Sequence, residues 1–129
     1  MTVRVVRLGS QRVEGEGTRI GTVRRPPRGV PKAEFASRNW YDVWFPNLAP
    51  SIETMKLGQA AKTPADRTRF IRKYRAEMAT PENTHAIELL AALSRKSNFS
   101  VGCYCENEAH CHRSALRELL AEKDAKLEP

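Results

Sequence analysis

FSVGCYCENEAHCHRSALRELL, residues 99–120, changes periodicity halfway along. Phe99, Val101, Cys103 and Cys105 alternate with their neighbours and share one face of an extended segment, so FSVGCYC reads as a strand. Beyond an acidic turn, Leu116, Leu119 and Leu120 recur at helical spacing and predict a short amphipathic helix over roughly His112 to Lys123. A strand that feeds directly into a helix is the mark of an α/β sheet. The same stretch holds all three cysteines of the chain and two of its three histidines.

Working backwards, Thr63-Pro64 and Thr80-Pro81 each pair an N-cap residue with proline at the first helical position. Phe70, Ile71, Tyr74 and Met78 form the apolar stripe of the first helix, and Ile87, Leu90 and Leu93 that of the second. Near the start, VRVVRL (3–8) and TRIGTVRR (18–25) are β-branched runs bounded by Gly9-Ser10 and Pro26-Pro27, which predicts two more strands. The prolines and aromatics between Pro26 and Pro50 argue against a long helix there, and DVWF (42–45) reads as a further strand or a packed loop. Strands first, helices between, then strand into helix predicts a three-layer αβα domain with a small, mainly parallel sheet, one domain over residues 1–129.

The net charge of +7 is concentrated: residues 1–30 carry seven arginines against Glu14 and Glu16, a surplus of five, which leaves two for the rest. Such a patch favours an anionic partner, either nucleic acid or a phosphorylated small molecule. The start MTVRVVRLGS lacks the apolar run of a signal peptide, IELLAAL is far too short for a membrane span, and clustered cysteines in odd number suit a reducing compartment; the expectation is a cytoplasmic protein with no membrane partner.

Ligands of parallel sheets sit beyond the carboxyl ends of the strands, here Leu8 to Ser10, Arg24 to Gly29 and Cys103 to Arg113. Several chemistries compete in the third segment. Zinc is disfavoured by spacing, since Cys103 and Cys105 two apart on a strand point their side chains roughly 6–7 Å from one another. The C-x5-R match from Cys111 to Arg117 lacks the glycine-bearing phosphate loop that such chemistry needs. A nucleophilic thiol is better placed, because Cys111 lies at a helix N-terminus with Arg113 and two histidines beside it; it is the candidate catalytic residue. Fewest assumptions attach to anion binding: free amides at the helix start, the guanidinium of Arg113, and Arg25 and Arg28 from the neighbouring strand end.

The pattern Cys103, Glu106, Cys111, His112, Arg113, together with RRPPRGV (24–30), LAPS (48–51) and the Phe70, Tyr74, Glu77 helix, resembles the DUF488 family of domains of unknown function. The resemblance spans nearly the whole chain and implies a three-layer α/β fold without supplying a reaction or a cofactor. In the family pattern an acidic residue stands two positions after the first cysteine; here Cys105 occupies that place and Glu106 follows. The leading expectation is therefore an anionic small molecule, a nucleotide or phosphorylated metabolite, held by Arg25, Arg28, Cys103, Cys105, Glu106, His112 and Arg113, with a thiol-dependent reaction as its extension. The alternatives are a nucleic-acid binding module using the basic N-terminal segment and a metal protein using the Cys/His cluster. Trp40, Tyr41, Trp44 and Phe45 read as core packing before a base-stacking wall, and Asp42 as a turn or capping residue.

Overall fold

A computed structural model describes residues 1–129. Four strands, β1 (Val3–Arg7), β2 (Thr18–Gly21), β3 (Val43–Trp44) and β4 (Phe99–Cys103), form one all-parallel sheet in the order β1-β4-β2-β3. Four helices follow β3 or β4: α1 (Ile52–Ala60), α2 (Pro64–Met78), α3 (Pro81–Ser94) and α4 (His112–Glu122). The chain is thus an α/β protein, and DVWF supplies a two-residue edge strand.

Helix starts follow the caps in the sequence. Thr63 accepts from the Asp66 amide while Asp66 reaches back to the Thr63 amide, a complete capping box, and Thr80 accepts from the Asn83 amide. Helix α1 has a weaker signature, with Ser51 as N-cap. The Glu77 carboxylate fastens it to α2 by accepting from the Ser51 amide and hydroxyl and from the Thr54 hydroxyl.

The two faces of the sheet differ in kind. Val3, Phe99 and Val101 pack with Tyr74 and Met78 of α2, Ile87, Leu90 and Ala91 of α3, and Ala115, Leu116 and Leu120 of α4 in the main core. On the opposite face, Arg19 and Ser100 lie side by side in register under loop segments rather than a long helix. Arg19 is 0% exposed, and its guanidinium donates to both carboxylate oxygens of Glu16 (2.8 and 3.0 Å) and to the carbonyls of Ser10 and Asn39 (2.8 and 2.9 Å). Ser100 completes the set by donating to Glu16 at 2.7 Å. Asp42 accepts the Arg19 amide and both terminal nitrogens of Arg12, a turn-fixing role in keeping with the sequence reading.

The free side of β1 is covered by the chain end. The Val3 amide donates to Lys126, and the Glu128 amide donates to the Val3 carbonyl.

Breaking a buried ion pair by removing one partner strands the other charge, a loss of about 3–5 kcal/mol. Arg19→Met is therefore expected to lower the unfolding free energy measured by urea titration by that amount, with Arg12→Met, half outside the network, costing much less. Acid acts on the same network. Burial pushes the Glu16 carboxyl up, but the bonds from Arg19, Ser100 and the Val13 amide outweigh it and bring it from 4.5 to about 2. The stabilisation is complete above about 4.5, where the unfolded carboxyl is already ionised, and is lost as pH falls from 4.5 to 2; it amounts to about 3 kcal/mol. Denaturation curves across that window are expected to show the loss in the native protein and a flatter dependence in Glu16→Gln.

Candidate functional site

The carboxyl ends of β1, β4 and β2 meet at a small second core of Leu8, Val23, Tyr41, Cys103 and Cys111, flanked by Phe35, Trp40 and Tyr104. Backbone bonds continue past the strands and hold this rim flat, from Leu8 to the Cys103 carbonyl and from Thr22 to the Gly102 carbonyl. Glycines allow close approach of the aromatics. Gly9, at φ +90°, faces the Trp40 ring, where an added Cβ would sit 2.9 Å away, and Gly21 lies under Tyr41 with no room for a side chain. Trp40 and Tyr104 meet edge to face, their centroids 5.8 Å apart.

Helix α4 starts on this rim. Cys111 is its N-cap in extended conformation with no capping bond from its side chain, and its sulfur contacts that of Cys103. Next in sequence, His112 turns inward: Nε2 lies 2.9 Å from the Thr22 carbonyl and Nδ1 lies 3.6 Å from the Cys111 sulfur. A carbonyl only accepts, so Nε2 carries the proton and Nδ1 presents its lone pair to the cysteines. Burial lowers the His112 pKa to about 4, with Arg113 adding to the effect and the Thr22 bond opposing it, and the ring is neutral near pH 7. Cys103, Cys111 and His112 are all buried, and their donor atoms lie within 4.8 Å of one another.

Arg113 is 3% exposed. One terminal nitrogen donates to the Cys105 carbonyl at 2.6 Å, while its buried Nε has no partner. The acids nearest to it in sequence are engaged elsewhere: Glu108 takes Arg117 in a two-point pair, and Glu106, largely exposed, lies 3.5 Å from Arg7. Burial pushes the Arg113 pKa down, Glu108 and the Cys105 thiol oppose that, and Arg7 and Arg117 add to it.

The structure brings together Cys103, Cys111, His112 and Arg113, and leaves other anticipated residues outside. β4 ends at Cys103, so Cys105 does not continue the inward face. It is the free thiol, on the exposed turn. Desolvation raises its pKa, offset only in part by Arg113 and Arg7. Arg25 and Arg28 are exposed after β2, and the Tyr104 hydroxyl donates to the Arg25 carbonyl, tying that loop to the rim. Arg24 points away and donates to the carbonyls of Pro46, Ala49 and Pro50. Two participants escape a reading of the sequence. Thr22 acts through its carbonyl, which no side-chain pattern reports, and Arg7, whose Nε donates to the Tyr104 carbonyl, looks like an ordinary strand-end charge. A surface hollow lined by Arg4, Ser10 and Gln11 opens on the other face, and Arg7 alone links it to the rim.

An all-parallel α/β sheet with cysteines, a histidine and an arginine gathered where its last strand enters its last helix defines a small strand-end-site protein. The chain belongs to the DUF488 family: the model of the active DUF488-N3 subclade, DUF488-N3a, matches residues 3–124. No curated protein and no solved structure matches the chain.

Thiol accessibility follows from this geometry. Under native conditions, limiting iodoacetamide is expected to label Cys105 alone, no faster than an unactivated thiol, with the buried Cys103 and Cys111 labelled only after unfolding. Peptide mass spectrometry reads the order, and early labelling of Cys111 would contradict the buried placement.

Proposed function

We propose that the protein binds an anionic small molecule, a nucleotide or a phosphorylated metabolite, at the carboxyl ends of β2 and β4. The observation that carries this reading is the guanidinium of Arg113, buried with one donor unpaired and no carboxylate of its own. An ion withdrawn from water without a counter-charge costs several kcal/mol, and a bound anion offsets that cost through charge-assisted hydrogen bonds. The first-turn amides of α4 add donors and the favourable end of the helix dipole. Arg25 and Arg28 carry no ion pair or side-chain hydrogen bond, which suits guanidiniums that meet a ligand from the neighbouring loop.

The fate of the basic N-terminal segment favours a small ligand over nucleic acid. Of its seven arginines, five are engaged internally: Arg4 with Glu128, Arg7 with Glu106, Arg12 with Asp42, Arg19 with Glu16, and Arg24 with backbone carbonyls. Two free guanidiniums and Arg113 match a phosphate-sized anion better than a polyanion track, which draws affinity from many phosphate contacts. Binding is also favoured over thiol chemistry, because Cys111 is 1% exposed and its sulfur is turned to Cys103. The description of the matched subclade as active leaves room for a reaction on the bound anion.

Pyrophosphate and adenine nucleotides are the probes, read by thermal shift and calorimetry against sodium chloride of equal ionic strength. At one hundred times Kd a bound ligand stabilises the fold by about 2.7 kcal/mol, a clear rise in Tm. Arg113→Met is expected to abolish the rise, and Arg25→Ala with Arg28→Ala, both on the surface, to weaken affinity about tenfold. Absence of any phosphate-dependent shift in the unmodified protein overturns the reading. A response to duplex DNA that falls steeply with salt would transfer the function to nucleic-acid binding.

A further inference from the structure

We propose that Cys103, Cys111 and His112 form a binding site for a thiophilic divalent cation of the zinc class, with the two Sγ atoms and Nδ1 as donors. The proposal rests on these three residues and not on anion binding at the neighbouring guanidiniums.

The sequence disfavours a metal because Cys103 and Cys105 stand too far apart along a strand. Folding replaces that pair by another. Cys105 leaves on the exposed turn, and the α4 N-terminus brings Cys111 and His112 onto Cys103, with all three donor atoms within 4.8 Å of one another. Two thiolates and an imidazole suit zinc, whose bonds to sulfur and nitrogen run about 2.3 and 2.0–2.1 Å; the sulfurs, 2.50 Å apart here, separate to about 3.8 Å to admit the ion between them.

His112 is oriented as a ligand. Its Nε2–H is held by the Thr22 carbonyl at 2.9 Å, which fixes the tautomer and leaves the Nδ1 lone pair facing the Cys111 sulfur. A carbonyl on the distal ring nitrogen is the usual outer-shell support of a metal-bound histidine. The backbone points the same way. The Cα atoms of Cys103 and Cys111 are 8.0 Å apart, whereas a disulfide is at home at roughly 4.4–6.8 Å. Two sulfurs bound to one ion are separated by two metal–sulfur bonds rather than one S–S bond, and this accommodates the wider backbone. The seat is also dry, since the three residues are 1–5% exposed.

Charge and protons balance simply. On binding, the two thiols release two protons to solvent, the two thiolates neutralise the dication, and no electron moves. Three protein donors leave the fourth tetrahedral position to water or a small anion, the arrangement of a site open to chemistry.

The test uses the full chain, reduced, freed of metal and titrated with Co²⁺. A count of three free thiols fixes the starting state. The expected result is one equivalent of Co²⁺ giving thiolate-to-cobalt charge-transfer absorption and the visible bands of a tetrahedral ion, displaced by Zn²⁺. Cys105→Ser is expected to keep the spectrum, Cys103→Ser to lose it, and His112→Gln to weaken affinity by more than about tenfold. Should the variants fail to fold, the unmodified protein with Cys105 alkylated still decides, since the spectrum must persist. No thiolate–cobalt band in the folded, reduced chain overturns the proposal. So does spontaneous closure of a Cys103–Cys111 disulfide in protein that takes up no metal. Loss of phosphate binding with the cobalt spectrum intact would count against the anion reading alone.

Discussion

The buried guanidinium of Arg19 is the constraint on which the loop-covered face of the sheet depends. A parallel sheet requires cover on both faces, and here helices supply only one. On the other, a single cation gathers Glu16, the carbonyls of Ser10 and Asn39 and, through Glu16, the hydroxyl of Ser100. Those bonds join the β1–β2 connection to the segment before β3. The segment so anchored delivers Trp40 and Tyr41 onto Gly9 and Gly21 and roofs the strand ends. Cys111 thus packs with Tyr41 under a roof that a buried ion pair holds in place.

Helices were legible where side chains write their own boundaries. Thr63 and Thr80, each followed by proline, start α2 and α3 where the sequence places them, because a capping hydroxyl and a missing amide act locally. Helix α1 was not read. Its cap, Ser51, follows Pro50 in a segment dominated by proline and aromatic signals, and what secures it is a carboxylate 26 residues away. The parallel sheet was legible from the order of elements. The nature of its second face was not, since a charge count cannot tell an arginine in solvent from one that replaces a hydrophobic residue at the centre of a layer.

The site was legible in part for a similar reason. Alternation extended the last strand to Cys105, yet the strand stops at Cys103, where the Arg113 bond to the Cys105 carbonyl and the Tyr104 bond to the Arg25 carbonyl turn the chain outward. Periodicity describes side chains, and the turn is enforced by backbone acceptors. Glu106 was grouped with Arg113 at the site by nearness in sequence, whereas in space it lies on the exposed turn with Arg7 as its partner. The residues that stayed together, Cys103, Cys111, His112 and Arg113, are those placed by the strand and by the first turn of α4, the most regular parts of the stretch.

The cover over β1 has a consequence for how the molecule meets its own kind. β1 is an outer strand, and the segment around Leu127 occupies it through two backbone bonds, one on each side of Val3. This is a strap rather than a strand, a few residues long and flanked by charged side chains. It engages only the Val3 end of a β-rich edge, VRVVR, the kind of edge that accepts a strand from a second molecule when left open. By engaging Val3, this segment shortens the row of free amides and carbonyls that β1 presents, at the end of the strand away from the cysteines.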